Sequence, residues 1–248
     1  PVPRVPPHPV RSEAPKDKVH LVRTSGSVEG PLPYLIVEPA LASPDTPIVL
    51  TLHGRGDKAE RFARLAERLR VPVRFVVADA PMPWGHRNGR RWFDMRAPDL
   101  SAQLTARVGD LVTLADQVAT RWPDAPRPYL LGFSQGAMLA LQAIATRSDR
   151  FAGAIALSGA LLVSEGLPRG APPRPVLLTG GSTDRVVPAQ RARDAEAALE
   201  ALGHTTELVI FEGGHSVTSE VIGHIRRVLG AWQGKGGGSP TTRRGRGR

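Results

Sequence analysis

Short, continuously apolar runs recur along the chain, at Val19–Val22, Tyr34–Val37, Ile48–Leu52, Val73–Ala78, Tyr129–Leu131, Gly153–Leu157, Val176–Leu178 and Glu207–Phe211. Runs of this length without polar alternation predict strands covered on both faces. Helical periods lie between them. Asp57 to Arg70 puts Phe62, Leu65, Ala66 and Leu69 on one face, and Asp57 with Glu60 three residues on predicts a capping box. Leu104, Val108, Leu111, Val112, Ala115, Val118 and Ala119 mark a second helix, closed by Pro123. Pro188 fits the first turn of another, with Ala192, Ala195, Leu199 and Leu202 as its apolar face and Gly203 just past its end. Val217, Val221, Ile222, Ile225, Val228 and Leu229 mark the last. The alternation predicts an α/β chain: a mostly parallel central sheet with helices on both faces, the first two strands pairing antiparallel at an edge. No internal repeat is visible.

Composition changes the picture mainly at the ends. The 248 residues, 41% hydrophobic, suffice for one sizeable domain, and no run approaches the length of a membrane span. The absence of cysteine removes disulfides, thiolate nucleophiles and cysteine metal sites. The net charge of +10 suggests nucleic acid until it is divided by segment. Gln233 onward carries five basic residues and no acid, and Pro1 to Lys18 carries four basic and two acidic, which leaves only +3 for the body. The expected organisation is an extended Pro-rich arm over 1–18, a folded domain over 19–232 and a disordered Gly/Arg-rich tail over 233–248. The tail has no aromatic residue to stack on bases, so the expected partner is a small molecule and not a specific nucleic acid, with weak attraction of the tail to anionic surfaces. The expected compartment is the cytoplasm. Because the chain opens at Pro1, a targeting segment upstream is left open, as is the oligomeric state.

The candidate chemistry centres on Leu131-Gly132-Phe133-Ser134-Gln135-Gly136-Ala137. An apolar strand enters a Gly-x-Ser-x-Gly turn and an apolar, glycine-poor stretch leaves it, which is the order a nucleophile elbow requires. Ser134 is therefore the candidate nucleophile. A parallel sheet presents chemistry at the carboxyl ends of its strands, and this sorts the histidines. His215 follows the strand ending at Phe211 and precedes a helix, so it is the candidate base. His204 lies at the opposite edge, and His224 lies within the last helix. His8 and His20 belong to the arm and first strand, and His86 to a long loop. Asp184 and Asp79 both follow strands; chain order, serine then acid then histidine, selects Asp184 and leaves Asp79 as a loop-capping carboxylate. The backbone N–H groups of Gln135 and of Arg55, in Leu52-His53-Gly54-Arg55-Gly56-Asp57, are the candidate oxyanion donors, with His53 structural.

Leu-His-Gly-x-Gly-Asp at 52–57, Trp92-Phe93-Asp94, Gly-Phe-Ser-Gln-Gly at 132–136, Asp184-Arg-Val-Val-Pro188 and Gly214-His215 together resemble the carboxylesterase/phospholipase family that includes acyl-protein thioesterases. The resemblance spans about Val19 to Trp232. It implies the α/β-hydrolase fold and a serine hydrolase of carboxylic esters or thioesters that needs no cofactor or metal, with Ser134, Asp184 and His215 as its triad. Arg55 and Gly180-Gly181 depart from the family pattern, which leaves the acyl pocket and the preferred substrate open. Trp92 and Phe93, in the long loop from Pro81 to Pro98, are candidates to wall that pocket, with core packing an equal alternative. A peptidase or lactone hydrolase on the same fold is the alternative enzyme, and a non-catalytic binding module the alternative outside enzymes.

Overall fold

The computed structural model describes residues 20–25, 30–85 and 88–233, so the expected arm, most of the expected tail and His86 lie outside the described residues. Eight strands form one sheet: β1 (Leu21–Ser25), β2 (Tyr34–Pro39), β3 (Ile48–Leu52), β4 (Arg74–Ala78), β7 (Tyr129–Phe133), β8 (Gly153–Leu157), β9 (Pro175–Gly181) and β10 (Thr205–Phe211). Between β4 and β7 the short strands β5 (Met82–Pro83) and β6 (Arg90–Arg91) pair antiparallel as a separate hairpin, which the sequence pattern does not predict. The main sheet runs β1-β2-β4-β3-β7-β8-β9-β10. β2 pairs antiparallel with both β1 and β4, and every other neighbouring pair is parallel, as the alternation requires.

Among the described residues five helices cover the sheet: α1 (Ala59–Leu69), α2 (Leu100–Arg121), α3 (Gln135–Arg147), α4 (Gln190–Ala201) and α5 (Ser219–Gln233). The continuous apolar strands resolve into two alternating faces. Ile48, Leu50 and Leu52 of β3 join one core with Leu104 and Leu111 of α2, Leu139 and Ala143 of α3, and Leu199 of α4. Val49 of β3 with Phe75, Val77, Ile155 and Leu177 joins the other, against Phe62 and Leu69 of α1 and Ile225 and Leu229 of α5. Among the described residues no helix is long and apolar enough to cross a membrane. Gln233, where the described residues end, is the last residue of α5.

Helix ends depart from the sequence pattern in instructive ways. The Asp57–Glu60 capping box does not form: α1 starts at Ala59, and Lys58 at its N-cap makes no side-chain cap bond. Asp57 instead accepts a 2.6 Å bond from Arg61 Nε, while Ala59 N–H donates to Asp79 Oδ1 at 3.1 Å, so the cap comes from the end of β4. α2 begins at Leu100, four residues before the first periodic leucine, and stops at Arg121 ahead of Pro123. Pro188 precedes α4, its carbonyl accepting from Arg191 N, and Gly203 beyond the helix takes φ +90°.

His204, between α4 and β10 at the amino edge, is buried, and its Nδ1 accepts the Arg174 N–H at 3.1 Å. Burial, reinforced by the Arg174 charge, pushes its pKa below the ordinary 6.5. A histidine whose folded pKa is depressed contributes stability that is complete above the unfolded value and is lost as pH falls below it. The melting temperature, followed by circular dichroism from about pH 8 to about pH 5, should therefore fall more steeply for the wild type than for His204→Gln, which does not titrate there. Parallel curves for the two proteins would remove His204 from the acid response.

Candidate active site

The carboxyl ends of β3, β4, β7, β9 and β10 converge on one edge. Ser134 stands between β7 and α3 with φ 53° and ψ −117°, a backbone that side chains other than glycine rarely adopt. Two glycines permit the turn. A Cβ at Gly132 would overlap the Gly136 carbonyl oxygen, and one at Gly136 would overlap that of Leu52. Ser134 N donates to Leu157 O at 2.8 Å and Met138 N to Ser134 O at 3.0 Å, tying the elbow to the neighbouring strand and to its own helix.

The loops after β9 and β10 close on each other. Ser182 N donates to Phe211 O at 2.9 Å and Thr183 N to Gly213 O at 3.0 Å, and any side chain at Gly181 would strike Gly213. This contact brings Asp184 to His215. Asp184 Oδ2 lies 2.7 Å from His215 Nδ1, and His215 Nε2 lies 2.8 Å from Ser134 Oγ. Asp184 Oδ1 accepts from Val186 N at 2.8 Å and Val187 N at 2.9 Å. The Asp184 side chain is fully buried and that of His215 is 17% exposed. Burial alone pushes the Asp184 carboxyl up, but the Val187 and Val186 amides and the bond to His215 outweigh it and hold the group below the ordinary carboxylate range. An ionised carboxylate only accepts, so the His215 proton sits on Nδ1, and Nε2 presents its lone pair to the Ser134 hydroxyl. Phe133 packs on the imidazole with ring centroids 4.8 Å apart. The three residues singled out from the sequence are thus joined in one chain of hydrogen bonds, able to draw a proton off Ser134 Oγ.

The two candidate oxyanion donors flank Ser134. Gln135 opens α3, and neither its N–H nor that of Arg55 makes a hydrogen bond among the described residues. A Cβ at Gly54 would lie 3.4 Å from Ser134 Cβ, so the Gly54–Arg55 peptide rests directly against the elbow. His53 fixes how that peptide is turned. A carbonyl only accepts, so His53 Nδ1 carries a proton and donates it to Gly54 O at 2.8 Å. Holding the carbonyl on one side of a planar peptide aims the Arg55 N–H to the other. His53 is fully buried and lies in line with Asp79, whose Oδ1 is 3.1 Å from Nε2. Desolvation raises the Asp79 pKa, and the His53 and Ala59 contacts with the Arg90 charge outweigh it, so this carboxylate too is held below its ordinary range.

Trp92 and Phe93 lie in the core, both fully buried, behind the site instead of forming an open wall of it. Their backbone grips Gln135: Trp92 N donates to Gln135 Oε1 at 2.8 Å and Gln135 Nε2 donates to Phe93 O at 2.9 Å. Trp92 Nε1 donates to His53 O at 2.8 Å, so one segment staples the loops that carry both donors. Sequence pattern does not reveal this, because each bond joins residues about forty positions apart. His224 sits apart on α5, near Glu207, and plays no part in the site.

A sequence profile of the phospholipase/carboxylesterase family matches residues 34–233. The chain is 31% identical over 186 residues, 67% of its own length and 82% of the relative's, to an acyl-protein thioesterase 1 of Kluyveromyces lactis. To an acyl-protein thioesterase 1 of Gibberella zeae it is 27% identical over 226 residues, 78% of this chain and 93% of that one. Among solved structures it is similar to the esterase PE8, with a TM-score of 0.71 at 27% identity over 81% of this chain and 98% of that one. The sheet order and these likenesses make the fold an α/β-hydrolase fold.

The Gln135 side chain ties the first residue of α3, the candidate donor, to the Trp92–Phe93 backbone. Gln135→Leu should lower kcat on a short-chain ester by about tenfold to a hundredfold, less than loss of a whole donor, with KM little changed. Steady-state kinetics beside a thermal melt separates this from misfolding. A rise in KM alone, or a loss of activity matched by loss of folded protein, would show that the side chain does not act through the donor.

Proposed function

The chain belongs to the phospholipase/carboxylesterase family, a family of ester hydrolases, and from that premise we propose that it cleaves carboxylic esters or thioesters through an acyl-serine intermediate. The observation that carries this reading is the unbroken line Ser134 Oγ, His215 Nε2, His215 Nδ1, Asp184 Oδ2, with bonds of 2.8 and 2.7 Å. In the first half-reaction His215 Nε2 takes the Ser134 proton as Oγ attacks the acyl carbon. The carbonyl oxygen becomes an oxyanion held by the Arg55 and Gln135 N–H groups. As the tetrahedral intermediate collapses, the bond to the alcohol or thiol breaks and His215 returns its proton to that leaving group. Water then adds to the acyl-enzyme with His215 as base, and the acid and free Ser134 are released. Asp184, kept ionised in a buried position, holds the tautomer and stabilises the imidazolium formed in both halves.

Ser134→Ala should leave a folded protein whose ester turnover is lower by about 10³-fold or more, since covalent chemistry is lost while the oxyanion donors remain. Asp184→Asn should cost about 10³- to 10⁴-fold in kcat by permitting the wrong tautomer. Asp79→Asn keeps an oxygen for Ala59 N–H and should stay within about tenfold of wild type. Turnover of 4-nitrophenyl butyrate with labelling by a fluorophosphonate probe measures all three. Full activity in Ser134→Ala, or a larger loss in Asp79→Asn than in Asp184→Asn, would overturn the assignment.

A further inference from the structure

The loop that carries one proposed oxyanion donor also carries a cation without a carboxylate partner among the described residues. The β5–β6 hairpin docks on this loop: Gly56 N donates to Arg90 O at 2.7 Å and Arg90 N to Asp57 O at 2.9 Å. Trp84 N closes the hairpin on Gly89 O at 2.7 Å, and its indole, 39% exposed, projects over the loop. The Arg55 guanidinium carbon lies 5.1 Å from the centre of that ring, and the Arg91 guanidinium carbon lies 4.8 Å from it. The arginines around Arg55 are each matched to a carboxylate: Arg61 to Asp57 at 2.6 Å, Arg90 to Asp79 at 3.2 Å, and Arg91 to Asp94 at 2.9 Å. Arg55, exposed and one peptide away from Ser134, has no carboxylate partner among the described residues.

An arginine held by an aromatic face and not by an acid keeps its full charge and has already given up part of its rotamer freedom and hydration. Its planar fork suits an oxyanion with two oxygens. We propose that Arg55, held on Trp84, is an anion receptor at the mouth of the site, and that the preferred substrates are esters or thioesters bearing a carboxylate or phosphate a few bonds from the scissile carbonyl. The inference rests on the hydrolase reading of Ser134, and it adds the substrate class. The reactive carbonyl would sit against the Arg55 N–H while the same residue's side chain holds the second, charged group, so one residue would fix both ends of the substrate.

The test uses the full chain and two matched substrate pairs. One places a carboxylate on the acyl side, 4-nitrophenyl hydrogen succinate against 4-nitrophenyl butyrate. The other places a phosphate on the leaving group, 4-acetoxyphenyl phosphate against phenyl acetate. For each protein kcat/KM on the anionic ester is divided by that on its neutral partner, which cancels any effect of substitution on the backbone donor. Going from wild type to Arg55→Gln should lower this ratio about tenfold in at least one pair, through KM and not kcat. Trp84→Leu should lose part of the same preference, Arg55→Lys should retain part, and added salt should erode the wild-type value. Ratios equal within about twofold in wild type and Arg55→Gln for both pairs would overturn the receptor. Fluorophosphonate labelling and neutral-ester turnover report separately on the hydrolase. If both are present and the ratios do not move, only the receptor falls; if both are absent, the two readings fall together.

Discussion

Everything at the reactive edge depends on how sharply the chain turns at Ser134. A non-glycine residue at φ 53° stores on the order of 1–3 kcal/mol of strain and persists only where its surroundings over-determine it. Here β7 is paired on both sides, by β3 and β8, and α3 is buried along nearly its whole length, so neither flank can relax. Gly132 and Gly136 remove the two Cβ atoms that would keep the strand, the helix and the Leu52 carbonyl apart. The abruptness has a second consequence. Because α3 starts at the very next residue, its first N–H groups have no helical carbonyl four residues back to bond, and the Gln135 N–H makes no hydrogen bond among the described residues. Strain and unsatisfied donor arise from the same turn.

A free donor stabilises a developing charge only if it is already aimed, and aiming is done by groups that never meet the substrate. His53 holds the Gly54 carbonyl, Trp92 holds the His53 carbonyl, and Gln135 holds the Trp92–Phe93 backbone. These are buried hydrogen bonds with little competing water, where loss of one partner leaves the other unsatisfied and the effect spreads along the network. Asp79 extends the same device outward, capping α1 through Ala59 and meeting both His53 and Arg90. Two carboxylates at one edge therefore do unlike work: Asp184 orients the imidazole that faces Ser134, and Asp79 braces the loop that presents Arg55.

That Ser134, His215 and Asp184 meet at one edge is legible in the sequence because each sits where a strand-to-loop transition is written locally, as at Gly132-Phe133-Ser134-Gln135-Gly136. The mostly parallel sheet with its antiparallel edge follows from the same apolar runs. What escaped the pattern has a common physical origin. Asp57 and Glu60 have the spacing of a capping box, but Asp57 is drawn into backbone pairing with Arg90, and an acid twenty residues later caps the helix instead. The β5–β6 hairpin has too few residues to show a period. Trp92 and Phe93, without flanking periodicity, left pocket wall and core as equal choices, and only their burial and their bonds to Gln135 decide for the core. Apart from the hairpin, it is a contact distant in sequence that overrides the local signal.

Charge shows the same gap between a count and an arrangement. A total of +10 describes the chain, yet in the described residues many arginines are engaged with acids: Arg23 with Glu67, Arg74 with Glu38, Arg150 with Asp116, Arg227 with Glu207. Those at the surface, such as Arg23–Glu67 and Arg227–Glu207, contribute little to stability, but each pair removes a charge from the field that an approaching substrate meets. The local potential is set by the cations left over, and among the described residues Arg55 has no carboxylate partner while its guanidinium rests on the Trp84 indole. A single unpaired cation fixed within a few bonds of the chemistry acts on a substrate's charge at short range, where screening by salt is weakest. The basic composition of the ends acts over longer distances and fades within about a Debye length. The selectivity we propose is therefore a property of one residue's surroundings and not of the isoelectric point.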